Sequence, residues 1–159
     1  MKQNIIIRGP LGVGKSTVAK HLAASLHGCY ISVDEILSKH QLDLGEDGIP
    51  IESFIKANGF IVEIAKAADC DGAVIVDGNF YYQEQINDLV SKLGGDVKTF
   101  VLTASLETCL KRDAARSRVY GEDATRVVYG LVARVHAGIE IDTEDKTESQ
   151  VVDAIMNRL

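Results

Sequence analysis

Near the start of the chain, Gly9-Pro10-Leu11-Gly12-Val13-Gly14-Lys15-Ser16-Thr17 has the spacing G-x-x-x-x-G-K-S, with an added glycine at Gly12. Glycine has no Cβ, so the backbone can wrap closely and take positive φ. Successive amide N–H groups then converge as a nest for an anion. A helix starting at the loop would add the positive end of its dipole. This arrangement suits the phosphates of ATP. Gly9, Gly12, Val13, Gly14, Lys15, Ser16 and Thr17 are the expected contacts. Lys15 would reach the β- and γ-phosphates and Ser16 would ligate Mg²⁺. The plain alternative is a glycine-rich turn that binds nothing.

Other residues fit the same chemistry. Asp34 is expected at the end of a strand, where open α/β sheets place ligands. It would accept the proton of an attacking hydroxyl or orient it; otherwise it stabilises the first turn of its helix. Asp77 ends an apolar run and would hold Mg²⁺ directly or through water, or line the acceptor site; otherwise it is a turn aspartate in Asp-Gly. Arg112 and Arg116 are four apart, so one helix would project both from one face. Their guanidinium groups suit phosphate oxygens and could close over the γ-phosphate, with Arg112 also contacting the nucleotide. The alternative is a solvated basic face partnered by Glu107 or Asp113. Asn79 is a further pocket candidate. Phe80, Tyr81 and Tyr82 are read as core before pocket wall, and Arg8 as an edge charge at a strand end.

These residues need elements to hold them. Asn4–Arg8, with three consecutive isoleucines, reads as a strand, and Lys15–Leu26 as a helix with Val18, Ala19, Leu22 and Ala23 at helical spacing. Further strands are expected at Cys29–Val33, Ala73–Asp77, Val97–Leu102 and Gly138–Asp142. Helices are expected from Asp34, over 51–68, 82–93, 105–116 and 124–136, and from Thr147. Ser32-x-x-Glu35 and Thr147-x-x-Gln150 fit capping boxes. The 124–136 helix would turn Val127, Val128, Leu131 and Val135 inward. Alternating strands and helices argue an α/β fold, a parallel sheet with helices on both faces.

At 159 residues the chain reads as one domain, 1–159. Its net charge of −6 argues against nucleic acid or an anionic membrane as main partner. Cys29, Cys70 and Cys109 form no C-x-x-C pair and read as reduced thiols of a cytoplasmic protein. No apolar run is long enough to span a bilayer. The early first strand leaves no room for a signal peptide. No His/Cys cluster has metal-ligand spacing.

The phosphate loop, the single Asp34, Asp77-Gly78-Asn79, the arginine pair and Ile141-Asp142-Thr143 before the last helix occur together. In this the chain resembles the small P-loop kinases of the nucleoside/shikimate kinase type. It looks nearest the branch of zeta-toxin-like kinases, chloramphenicol phosphotransferase and the kinase domain of polynucleotide kinase. Shikimate kinases carry D-x-D where this chain has only Asp34, and a glycine triplet where it has Asp77-Gly78-Asn79. The resemblance implies a three-layer αβα P-loop NTPase fold and a five-stranded parallel sheet in the order 2-3-1-4-5. It also implies a short lid around 112–123 and transfer of the γ-phosphate of ATP, with Mg²⁺, to a hydroxyl of a small-molecule acceptor. A nucleotide-binding switch or slow NTPase, and a polynucleotide 5′-hydroxyl kinase, are the alternatives. Oligomeric state and the choice of ATP or GTP are left open.

Overall fold

The computed structural model describes residues 2–159. The elements, in chain order, are β1 (Asn4–Arg8), α1 (Lys15–Ser25), β2 (Cys29–Ser32), α2 (Val33–Lys39), α3 (Ile51–Ala67) and β3 (Val74–Gly78). They continue with α4 (Gln83–Leu93), β4 (Val97–Thr103), α5 (Leu106–Ala114), α6 (Glu122–Ala133), β5 (Ile139–Asp142) and α7 (Glu148–Met156). All strand pairs are parallel, and the sheet order is β2-β3-β1-β4-β5, the expected α/β topology.

β1 is the central strand, which explains its run of isoleucines: both faces are covered, so neither can be polar. Ile5, Ile6 and Ile7 are each fully buried. Ile5 and Ile7 pack with Val18 and Leu22 of α1 and Val151 and Ile155 of α7. Ile6 points the other way, to Phe54 and Ile61 of α3 and Ile86 and Leu89 of α4. The alternation of one strand thus divides the core into the two outer helical layers. Burying one such side chain contributes about 1.5–3 kcal/mol. No helix among the described residues is long and apolar enough to cross a membrane.

Local signals account for most boundaries. Ser32 caps α2 by accepting from the Glu35 amide, and Thr147 with Gln150 closes both bonds of a capping box on α7. Two expectations fail. Val127 is 62% exposed, because α6 buries the face that carries Thr125 and Val132, and Val127, two positions on from Thr125, projects from the opposite side. α5 stops at Ala114 with Ala115 as its cap, so Arg116 lies beyond the helix and does not share a helical face with Arg112.

Candidate active site

The phosphate loop joins β1 to α1. Gly12 (φ 78°) and Gly14 (φ 92°) are left-handed, a conformation that disfavours any residue with a Cβ. They differ in surroundings. A Cβ at Gly12 would lie 2.2 Å from the Cys109 carbonyl oxygen, so the backbone of α5 packs directly on the loop. A Cβ at Gly14 would meet nothing within 4 Å. Gly14 is the N-cap of α1, where no side chain satisfies the first amides. Those orphan donors remain free for an anion. Over them lies a cavity of about 210 Å³ lined by Gly12, Gly14, Lys15, Ser16, Thr17, Arg112 and Arg116. Gly9 and Val13 are buried in the loop's base. The structure therefore brings Gly12, Gly14, Lys15, Ser16 and Thr17 to one cavity with both arginines, with Gly9 and Val13 outside its lining.

Arg112 is held before any ligand arrives. Its Nη1 donates to Thr143 Oγ1 (2.9 Å) and the Val13 carbonyl (3.3 Å), and its Nη2 donates to the Thr143 carbonyl (2.9 Å). Thr143 is itself buried, its hydroxyl donating to the Thr103 carbonyl at the end of β4. Arg116 lies over the Tyr120 ring, 5.0 Å from its centre. The carboxylates considered as their partners are occupied elsewhere. Glu107 pairs with Lys111 (2.8 Å), and buried Asp113 accepts from the Tyr120 and Gly121 amides (3.2 and 2.9 Å). A second cavity of about 220 Å³ shares Gly14, Thr17 and Arg112 with the first and runs toward Thr143, Lys146 and Val151.

The acid groups come from the carboxyl ends of β2 and β3, which pair Ser32 with Asp77. Asp77 is 3% exposed. Its Oδ2 accepts from the Tyr30 hydroxyl (2.7 Å), while its Oδ1 is buried with no partner. Burial, then the Asp77 charge, pushes the Tyr30 phenol far above its usual range, so Tyr30 stays a donor. An orphaned buried carboxylate oxygen fits a cation, and Mg²⁺ bound mainly by phosphates and water needs only one or two protein oxygens. Ser16 and Asp77 would be those oxygens. No cluster of three or more His, Cys, Asp or Glu among the described residues supplies a metal cage by itself.

Asp34 stands on the first turn of α2, two residues past the Ser32–Asp77 pair. Its side chain opens to solvent at the rim, yet it sits among densely packed protein atoms. That crowding raises its carboxyl above the ordinary value, against the pull of Lys15, with Asp77, Asp43 and Glu35 raising it further. Asn79 is buried, its Nδ2 donating to the Tyr81 hydroxyl (2.9 Å) and its Oδ1 unpartnered. Phe80 is core, 1% exposed, while Tyr81 and Tyr82 pack on Phe54.

Arg8 is not an edge charge. It is 1% exposed, and its guanidinium donates to the carbonyls of Val132 (2.7 Å), Val135 (3.2 Å) and Ala137 (3.2 Å). These lie at the carboxyl end of α6, where a helix dipole favours a cation. Burial pulls its pKa down to about 10, which leaves it charged at neutral pH. A larger cavity, of about 410 Å³, lies beside Arg8 under α6 and holds none of the loop residues Gly12 to Thr17. His21 stays at the surface, 2.7 Å from Glu148. Tyr30 and Thr143 are the residues sequence reasoning missed as partners of Asp77 and Arg112. Only their places, in β2 and just past β5, hinted at a role.

Residues 5–140 match the family described as AAA domain. A shikimate kinase of Shewanella woodyi is 27% identical over 176 residues, covering 99% of this chain and 95% of the relative. Among solved structures, a sugar kinase from Janibacter sp. HTCC2649 superposes with a TM-score of 0.77 at 18% identity, covering 99% of this chain and 94% of the other. A gluconokinase from Sinorhizobium meliloti 1021 superposes with a TM-score of 0.69 at 14% identity, covering 98% and 92%. The phosphate loop at the end of a central strand, the 2-3-1-4-5 sheet and this family match agree: the chain belongs to the AAA domain family and is a small P-loop kinase of the nucleoside/shikimate kinase type.

Proposed function

We propose that the protein transfers the γ-phosphate of ATP to a hydroxyl of a small-molecule acceptor. The observation that carries this is the cavity over the loop, where three cations with no carboxylate ion-pair partner among the described residues, Lys15, Arg112 and Arg116, face the free end of α1. The names of the shikimate kinase and gluconokinase relatives support an alcohol acceptor.

Phosphoryl transfer needs alignment and charge neutralisation more than covalent chemistry. The loop amides and Lys15 would hold the β- and γ-phosphates. Ser16 and Asp77 would hold Mg²⁺, which would supply charge neutralisation on the phosphates. Arg112, fixed by Thr143 and Val13, would present a preset guanidinium. The second cavity, beyond Arg112, would take the nucleoside. Asp34, across from Lys15, would accept or orient the acceptor proton, and its raised pKa suits a base. The whole chain would act as one kinase domain. Residues 112–123 would be its lid: Arg116 leaves the helix there and its side chain lies over the Tyr120 ring.

The test is ADP release with Mg·ATP and a panel of polyols, cyclitols and nucleosides. Acceptor-stimulated release that Asp34→Asn abolishes is the expected result. Acceptor-independent hydrolysis untouched by Asp34→Asn would instead identify a slow NTPase.

A further inference from the structure

The side of the site away from the phosphates has an unusual charge. No arginine occurs between Arg8 and Arg112, so β2, α2, α3, β3 and α4 carry none. Residues 32–52 hold Asp34, Glu35, Asp43, Glu46, Asp47 and Glu52 against one lysine, Lys39. His40 in the same stretch is stacked on Phe60, ring centres 3.7 Å apart. Burial first, and then the charges of Asp77, Asp43 and Glu35, hold the Asp34 carboxyl above its ordinary value against the pull of the phosphate-loop Lys15.

The unused hydrogen-bonding capacity has the same sense. Asn79 is 5% exposed and its Oδ1 has no partner. Its amide nitrogen is committed to Tyr81, whose phenol lies within the electrostatic reach of Asp34. An unpartnered buried oxygen and the carboxylate of Asp34 are both acceptors, and acceptors call for a ligand rich in O–H or N–H donors. A carboxylate or phosphate ester calls for the opposite, typically a guanidinium fork. The cations lining the phosphate cavity, Lys15, Arg112 and Arg116, would be engaged by ATP.

Resting on the kinase reading above, we propose that the acceptor is a neutral or cationic polyhydroxyl compound, not a carboxylate or phosphate ester. Like charges brought close together are a device for rejecting a wrong ligand. The acidic strap 32–52 would act in this way on anionic acceptors and would draw amino-substituted ones.

Matched acceptors that differ in one terminal group test this. Gluconate, sorbitol and glucamine share a carbon chain. Shikimate and its hydroxymethyl and aminomethyl analogues share a ring. Nucleosides and their 5′-monophosphates form a third set. In whichever set supports ADP release, the neutral or amino member should exceed the anionic one in kcat/KM by at least about tenfold, about 1.4 kcal/mol. An anionic member equal to or better than its neutral counterpart would overturn the proposal while leaving the kinase reading intact. No stimulation in any set, with Mg·ATP still raising Tm, would overturn the kinase reading itself. The double variant Glu35→Lys/Asp43→Lys changes two exposed positions outside the phosphate machinery. It should raise the anionic-to-neutral ratio at least about threefold. An unchanged ratio would show that these charges do not set specificity.

Discussion

The two left-handed glycines of the phosphate loop permit a controlled perturbation. Gly12→Ala and Gly14→Ala make the same chemical change at similar φ, 78° and 92°. Each carries the left-handed penalty of a Cβ, about 1 kcal/mol. At Gly14 nothing lies within 4 Å, so the cost should stop there. At Gly12 the new methyl would stand 2.2 Å from the Cys109 carbonyl oxygen and 2.9 Å from its carbon. Those are backbone atoms of α5 and cannot step aside as a side chain tip can. Overpacking of this kind costs about 1–3 kcal/mol, for a total of about 3 kcal/mol. For a chain of this size, about 2–4 °C of Tm follows each kcal/mol. Gly12→Ala should therefore lose about 6–12 °C by calorimetry, and Gly14→Ala about 2–4 °C. Catalysis should follow a different order. Displacing α5 moves Arg112, three residues past Cys109, so Gly12→Ala should lower kcat. Gly14→Ala intrudes on the phosphate cavity and should weaken Mg·ATP binding. Equal Tm losses in the two variants would refute the claim that α5 is seated on the loop.

Three further outcomes follow from named contacts. Arg116→Ala should reduce kcat more than nucleotide affinity, because its charge matters most as the phosphoryl group transfers; steady-state kinetics with equilibrium binding separate the two. The raised Asp34 carboxyl holds its proton more tightly than an ordinary aspartate, so kcat/KM should fall as pH drops through a value above about 3.9. Asp34→Asn should leave Tm at pH 7 unchanged or higher, since burial disfavours the ionised form in the fold. Arg8→Ala strips charged donors from three carbonyls at the end of α6 and should cost about 3 kcal/mol, or about 6–12 °C of Tm; a loss under about 2 °C would show that the tie is idle.

The phosphate loop and the sheet were legible because their signals are local. β-branched runs, glycine spacing and capping residues each act within a few positions, and β1, α1, α2 and α7 formed where those signals lay. Arg8 was not legible, because its partners Val132, Val135 and Ala137 are more than a hundred residues away along the chain. A charge ending an apolar strand looks like an edge until the strand proves central. Arg112 showed its type and place but not its anchor: Thr143 becomes a partner only when β5 lies beside β4. Tyr30 likewise meets Asp77 only across neighbouring strands. Val127 was misread because its neighbouring apolar residues fit more than one helical face, and α6 buries the face of Thr125 and Val132 instead. Asp113 looked like an arginine's counter-ion and is instead the acceptor that closes the turn at Tyr120 and Gly121.

The most direct measurement is the structure of crystals grown with saturating Mg·ADP. The β-phosphate should occupy the cavity of about 210 Å³ over the loop, bonded by the loop amides and by Lys15, with the metal beside Ser16 and Asp77. ADP bound elsewhere, or Lys15 turned away from a phosphate that is present, would contradict the reading of this protein as a kinase.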